Sequence, residues 1–483
     1  MSSGEAKGAA PAAKPAGGPP AKKRSAGRVA LYWLLSIVIP VAIVMFLGLD
    51  LKPALCFGII LLGICCLIFD LLPNYVIGLG IAFVPVLIGV TPADVALSPM
   101  LDWTWWSVIF GMIVGVAIGK TGLGRRIGVA LASRMVKGWA SLILVIFIFE
   151  TIMNVIAPFA NVASIAIGLS IFMPIARKLG YEERSKGYTG VGMAVVVSNT
   201  VTGTLLMTGH AMNALAVAMM APYYDINFTN WLQYITPPAL IASVIAYFSI
   251  VLICRPGKGE KYDVAKMRED AAALPKFSSN EGKVIGLMVV IILGFLAQAV
   301  LNLPYTPGWL GMSLILLLFI PGLGMLNGED LKGINWPFVM FMIGVFSIGG
   351  QLGYHGVSTA LADFAMPAGI ENWPVVGSSM FIYAVIVILH FLCGTIAPLL
   401  STLIPAFGAY GAAHGMAMVA LFSTILFCRT RFVLPFQDAM TLMAKGITKN
   451  TLSDKEIIKI GIVTTVAIFI IVIPLGALYW GMF

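Results

Sequence analysis

The chain predicts an all-α polytopic membrane protein of about eleven transmembrane helices plus two re-entrant hairpins, built as an inverted repeat. Three observations carry this. Of its 483 residues, 59% are hydrophobic and 11% charged, and the mean hydropathy is +0.97, outside what a soluble globular domain shows. Apolar runs of helical length recur from Tyr32 to Phe483, long enough to cross a hydrocarbon core of about 30 Å, and no strand-length alternation suited to a barrel interrupts them. Shifted by 231 positions, residues 105–180 align with 336–411 without a gap, and 15 of 76 positions match, among them Trp105 with Trp336, Gly122 with Gly353, Pro174 with Pro405 and Gly180 with Gly411.

Residues 1–28 are Ala, Gly and Pro with scattered Lys and Arg, too poor in apolar surface to fold, and predict a disordered cytoplasmic tail. Residues 29–52 hold an extra first span, 30–48. The first repeat, 53–254, has spans near 53–72, 74–90 and 104–121, a hairpin at 139–180, a long segment at 190–222 and a span at 234–254. A polar cytoplasmic linker, 255–283, follows. The second repeat, 284–483, has spans near 284–302, 309–325 and 336–352, a hairpin at 374–411, a long segment at 415–446 and a last span at 457–480. Five spans per repeat is an odd number, so the second copy is inverted, an architecture that places a binding site at the membrane midplane between the copies.

Charge orients this arrangement. With the N-terminus in the cytoplasm, 27 of the 30 Lys and Arg fall on cytoplasmic segments, Lys52 falls outside, and Arg429 and Arg431 fall within a span. Positive charge is retained on the cytoplasmic side, so the expectation is a multi-pass protein of the inner (cytoplasmic) membrane with its C-terminus external. The six Cys, at 56, 65, 66, 254, 393 and 428, lie mostly within apolar runs without CxxC spacing and read as buried free thiols.

The segments 190–222 and 415–446 each exceed 30 residues, about 45 Å of helix, too long for one straight crossing. Both are polar in the middle. The first reads SNTVTGTLLMTGHAMN over residues 198–213, with Gly203 and Gly209 placed to break the helix; the second holds FCRTRFVLPFQD, residues 427–438. A discontinuous helix presents N–H groups at one broken end and carbonyls at the other, and so holds an anion and a cation together.

On these residues the chain resembles the divalent anion:sodium symporter family, which includes bacterial dicarboxylate, citrate and tartrate carriers. TGHAMN, residues 208–213, is similar to that family's Gly-Thr-x-x-Asn break. The resemblance implies a homodimeric elevator-type carrier whose hairpin tips and broken helices hold a carboxylate beside sodium sites. Asn161, Ser164, Thr395, Asn199, Thr200, Arg429 and Arg431 are then the substrate-binding candidates, and Thr202, Gly209, His210 and Asn213 the ion-binding or coupling candidates. Sodium is the one implied coupling ion, with no other cofactor or metal.

The chain departs from that pattern. The family's tips carry Ser-Asn-Thr, whereas the repeat places Ala163-Ser164-Ile165 and Gly394-Thr395-Ile396 there, and the SNT of 198–200 lies in the fifth span. His210 stands where the family has a small hydroxyl residue. Arg429 and Arg431 occupy the second break, and a cation inside the membrane is a functional candidate by default. Fixed positive groups in place of sodium would favour anion exchange over symport; the plainer reading pairs an Arg with Asp438 and leaves His210 as a satisfied hydrogen-bonding group. Glu150 and Asn154, one turn apart, read as a structural hydrogen bond, and Trp103, Trp105 and Trp106 as interface anchors.

A carrier accounts for repeat, hairpins and breaks together. A channel would show a polar stripe along a whole span, and none does. Four His, at 210, 355, 390 and 414, without HxxxH spacing, argue against a metal enzyme. The expected partners are a small anion, the bilayer and a second copy, not nucleic acid.

Overall fold

The computed structural model describes residues 25–69, 71–257, 274–301, 303–392, 396–430 and 432–483. Most of the N-terminal tail, much of the linker, Thr395 at the second hairpin tip, and Arg431 lie outside the described residues. Every regular element among those described is helical. The extra span is α1 (Ala26–Leu47). The first repeat begins with α2 (Leu51–Ile68), α3 (Asn74–Leu87), the short α4 (Ala93–Leu97), α5 (Trp103–Thr121) and α6 (Leu123–Met135). The first hairpin is α7 (Trp139–Ile156) and α8 (Asn161–Lys178); the first long segment splits into α9 (Lys186–Thr202) and α10 (Ala211–Met220); α11 (Phe228–Tyr234) and α12 (Thr236–Ile253) follow.

The second repeat runs through α13 (Ser279–Leu301), α14 (Pro307–Ile315), α15 (Trp336–Tyr354) and α16 (Val357–Ala365) to a second hairpin, α17 (Val375–Leu392) and α18 (Ile396–Ala413). The second long segment splits into α19 (Met418–Phe427) and α20 (Ala439–Ile447), and the chain closes with α21 (Asp454–Ala467) and α22 (Ile473–Trp480), joined by a π-helical turn. Among the described residues nine helices are long and apolar enough to cross a membrane, and further apolar helices are shorter. Non-helical or 3-10 stretches separate α9 from α10 and α19 from α20.

Four helices were not expected as elements of their own: α4, α6, α11 and α16. The structure also shifts one repeat equivalence. Gly122 and Gly356 both adopt left-handed φ, +74° and +68°, and both precede a short helix; the helical counterpart of Gly122 is therefore Gly356, not Gly353. A gapless alignment cannot register a loop whose length differs between copies.

Burial separates inside from lipid-facing helices. Only 11% of α1 is buried, against 67% of α5 and 72% of α18. Where interior helices cross closely, glycine allows it: a Cβ on Gly78 of α3 would stand 2.5 Å from the Phe341 carbonyl oxygen of α15, and one on Gly344 2.1 Å from the Gly78 carbonyl oxygen. Small residues permit this backbone approach in apolar surroundings, where dispersion rather than water exclusion drives helix association.

The loops sort into two ends. At one, Lys120 pairs with Asp330 at 2.7 Å, Arg126 with Glu281 at 2.6 Å, and the Arg184 N–H donates to the Thr451 carbonyl at 2.9 Å. At the other, Thr91 meets His355 at 2.9 Å and the Tyr479 hydroxyl donates to the Gln233 carbonyl at 2.7 Å. Segments assigned to one face by charge meet only segments assigned to the same face in these contacts. The five Cys described, 56, 65, 66, 254 and 428, are buried, and none of them forms a disulfide.

Candidate substrate and coupling site

The first hairpin turns inside the protein. Pro158 cannot continue α7, Phe159 takes a left-handed φ of 60°, and its N–H donates to the Thr208 carbonyl at 2.9 Å. The tip therefore lands on the first helix break.

That break is closed by glycine. A Cβ on Gly209 would lie 2.5 Å from the Gly203 carbonyl oxygen, and one on Gly203 would lie 2.7 Å and 2.9 Å from the carbonyl oxygens of Asn199 and Gly209. Asn213 donates through Nδ2 to the carbonyls of Gly203 and Leu206, each at 2.8 Å, satisfying acceptors the break exposes. Its Oδ1 is buried without a partner. The His210 Nδ1 accepts the Met212 N–H at 3.0 Å and so caps α10. A nitrogen that accepts carries no proton, so in this geometry His210 supplies no positive charge, which corrects the expectation that it stands in for sodium as a cation.

A polar network ties hairpin to break. Asn161 Nδ2 donates to Asn199 Oδ1 at 3.2 Å and to the Gly209 carbonyl at 3.0 Å, while its Oδ1 accepts the Ala211 N–H at 2.9 Å. Asn199 Nδ2 donates to Glu150 Oε2 at 2.8 Å and Asn154 Oδ1 at 3.1 Å. Asn154 Nδ2 donates back to the Asn199 carbonyl and to Thr202 Oγ1, both at 3.1 Å. Ser164 Oγ donates to Glu150 Oε2 at 2.6 Å. Every one of these side chains is buried.

The second break faces the first. After α19 a 3-10 turn spans Cys428–Thr430. Arg429 is only 4% exposed; its Nη2 donates to Thr204 Oγ1 in the first break at 2.6 Å, and its Nε and Nη1 have no partner. Asp438 does not pair with it within ion-pair distance; its oxygens cap α20, accepting from Met440 N, Thr441 N and Thr441 Oγ1 at 3.3, 2.9 and 2.6 Å. Gln437 fastens the second hairpin here, donating to the His390 carbonyl at 3.0 Å.

Of the sequence candidates, Asn161, Ser164, Asn199, Thr202, Gly209, His210 and Asn213 thus gather around the first break, and Arg429 reaches it from the second. Thr200 does not join them: its hydroxyl donates to the Val196 carbonyl of its own helix at 3.1 Å. Sequence reading missed Thr204, Gln437 and the central place of Glu150. The only signal for Glu150 was a lone carboxylate inside an apolar run.

Two broken helices and a hairpin tip meeting at a buried polar centre, in a protein of many membrane-crossing helices, define a membrane transporter. The chain belongs to the family described as the sodium:sulfate symporter transmembrane region, whose model matches residues 27–483. It is 22% identical over 405 residues to the inner membrane protein YbhI of Escherichia coli K12, covering 82% of this chain and 83% of that protein. It is 24% identical over 206 residues to the L-tartrate/succinate antiporter of the same strain, a match covering 40% of this chain and 41% of the antiporter. A solved structure, the YdaH transporter of Alcanivorax borkumensis, whose topology is described as unusual, aligns with a TM-score of 0.51 at 14% identity over 78% of this chain and 85% of that one. This last likeness is one of fold.

Proposed function

We propose that this protein is a secondary active carrier of a small multivalent anion, a di- or tricarboxylate, which binds where the first hairpin tip meets the two helix breaks. Arg429 is the observation that carries the reading. A buried guanidinium with two donor nitrogens unpartnered and, among the described residues, no carboxylate bonded to it is costly unless an anion completes it, and its planar fork suits a carboxylate. Asn161, Ser164 and Asn199 frame the same region as polar groups on the hairpin and α9. The cytoplasmic membrane and a homodimer working by elevator-like displacement of the hairpins are part of the proposal.

Sodium coupling follows the family's description, and the unpartnered Asn213 Oδ1 gives a cation one oxygen in the first break. Exchange is the second reading. It is favoured by Arg429 itself, a positive charge that cannot leave with the substrate, and by the antiporter among the relatives. The test is uptake of labelled succinate, tartrate, citrate and sulfate into proteoliposomes, with and without a sodium gradient or an internal counter-anion. Uptake of none of the four would defeat the carrier reading. Sodium-driven uptake into vesicles holding no anion would defeat exchange.

A further inference from the structure

Glu150 is fully buried in the middle of α7, and no described cation pairs with it. Leaving an ionised carboxylate so placed is costly, because its lost hydration is not repaid by a counter-charge. Its two oxygens differ. Oε2 accepts from Ser164 and Asn199. Oε1 has no partner and lies in an apolar wall: a Cβ placed on Gly168 would meet Glu150 Oε1 at 2.5 Å, Val195 Cγ1 at 2.8 Å and Phe149 Cε1 at 3.4 Å. A metal cation gathers several oxygens around itself, whereas Oε1 has no hydrogen-bond partner and shares this wall with the carbons of Val195 and Phe149. A proton needs only one.

We propose that Glu150 is a proton site that couples anion binding to proton uptake, an inference that rests on the carrier reading above. When Glu150 is ionised, the Ser164 hydroxyl is committed to it and a nearby anion is repelled. When a proton from water at the entry face forms an O–H bond at the open Oε1, Oε2 becomes the carbonyl oxygen of a neutral acid and a weaker acceptor, and the Ser164 hydrogen is free to turn to the anion. Release of the anion at the far face restores the Ser164 bond to the carboxylate, and the proton returns to water there. No electron moves, and one proton crosses with each anion. By linkage, each ligand then tightens the other. The proton also bears on exchange: with Glu150 ionised and Arg429 charged, the empty carrier is internally balanced and can return alone.

Other titratable groups on the helices packed against α7 stand elsewhere. Arg125, Arg126 and Arg134 lie on α6, with Arg126 bound to Glu281 of α13, which also bears Lys283; Arg177 and Lys178 end α8, Lys186 and Tyr188 lie in the first turn of α9, and α12 offers Tyr247. From the break, His210 is the titratable neighbour and Arg429 the charged one.

The experiment uses the full chain in proteoliposomes, with labelled succinate and sulfate as probes, neither of which titrates between about pH 7 and 9. For the wild type, an inward proton gradient should accumulate the probe, a trapped pH dye should report one proton per anion, and apparent affinity should fall about tenfold per pH unit on the alkaline limb. Glu150→Gln, a permanent analogue of the protonated acid, should show a flat pH profile at whatever rate it runs, and no proton-driven accumulation. Glu150→Asp should restore a pH dependence, and a pH dependence that survives in Glu150→Gln but is lost in His210→Gln overturns the proposal. Identical profiles in wild type and Glu150→Gln overturn the proposal while leaving the carrier reading intact. Should Glu150→Gln fail to fold, Ser164→Ala decides: it should transport with less than one proton per anion, and an unchanged ratio overturns the relay. If the wild type moves neither probe, the proposal falls together with the reading on which it rests.

Discussion

Arg429 and Glu150 are opposite buried charges at one polar centre, yet they are not bonded to each other: Arg429 reaches Thr204, and Glu150 reaches Ser164 and Asn199. Buried charges are usually paired or neutralised, so their separation leaves room for an anion on one side and a proton on the other. Replacing Arg429 by Gln removes the fixed charge and should weaken anion binding about 10- to 100-fold, as expected for loss of a charged hydrogen bond. Arg429→Lys should recover part of that, since charge remains but the bidentate fork does not. Binding isotherms for the purified protein check both, and wild-type affinity in Arg429→Gln would remove it from the site. Residues of this kind were only partly legible in the sequence. Arg429 is conspicuous in an apolar run; the Glu150–Asn199 bond joins positions 49 apart that no spacing rule connects, and of the two adjacent candidates Asn199 and Thr200, the first bonds to the hairpin and the second to its own helix.

At the scale of elements, length was the readable quantity. Segments of more than 30 residues are too long for one straight crossing, and the interruptions fall at Gly203–His210 and between Phe427 and Asp438. Amphipathic α6 was not expected as a helix because Arg125, Arg126 and Arg134 make its window polar; it buries only a narrow face of Leu123, Gly124, Gly128, Ala132 and Ser133. The first break depends on backbone-to-backbone contact of two glycines, which gives a sharp contrast. Gly209→Ala places its Cβ against the Gly203 carbonyl and should destabilise the protein by about 1–3 kcal/mol, as overpacking does. Gly119→Ala, in α5 with nothing within 4 Å of the added atom, should be neutral or stabilise by up to about 1 kcal/mol. Thermal unfolding in detergent compares the two, and equal midpoints would show that the break relaxes freely around an added methyl.

At the scale of the whole molecule, orientation is set by charge and not by packing, since the fold would be the same in either direction across the bilayer. The residues that meet at one end, Lys120, Arg126, Arg184 and Lys445 among them, carry a positive excess, and positive loops are as a rule the ones retained on the cytoplasmic side. The opposite end closes through Thr91 with His355 and Tyr479 with the Gln233 carbonyl, and its loops hold no such cluster. This predicts that α11 and its leading turn lie outside, and that the segment preceding α13 lies inside. Asp225 and Lys276 are exposed on these two segments, and the native cysteines described are all buried, so a single introduced thiol reports its own side. In intact cells Asp225→Cys should react with an impermeant maleimide, and Lys276→Cys should react only after permeabilisation. Should the two exchange roles, the protein is inverted: the first hairpin, with Glu150 and Ser164, would then open toward the exterior, and the direction in which a proton gradient drives the anion would have to be reassigned.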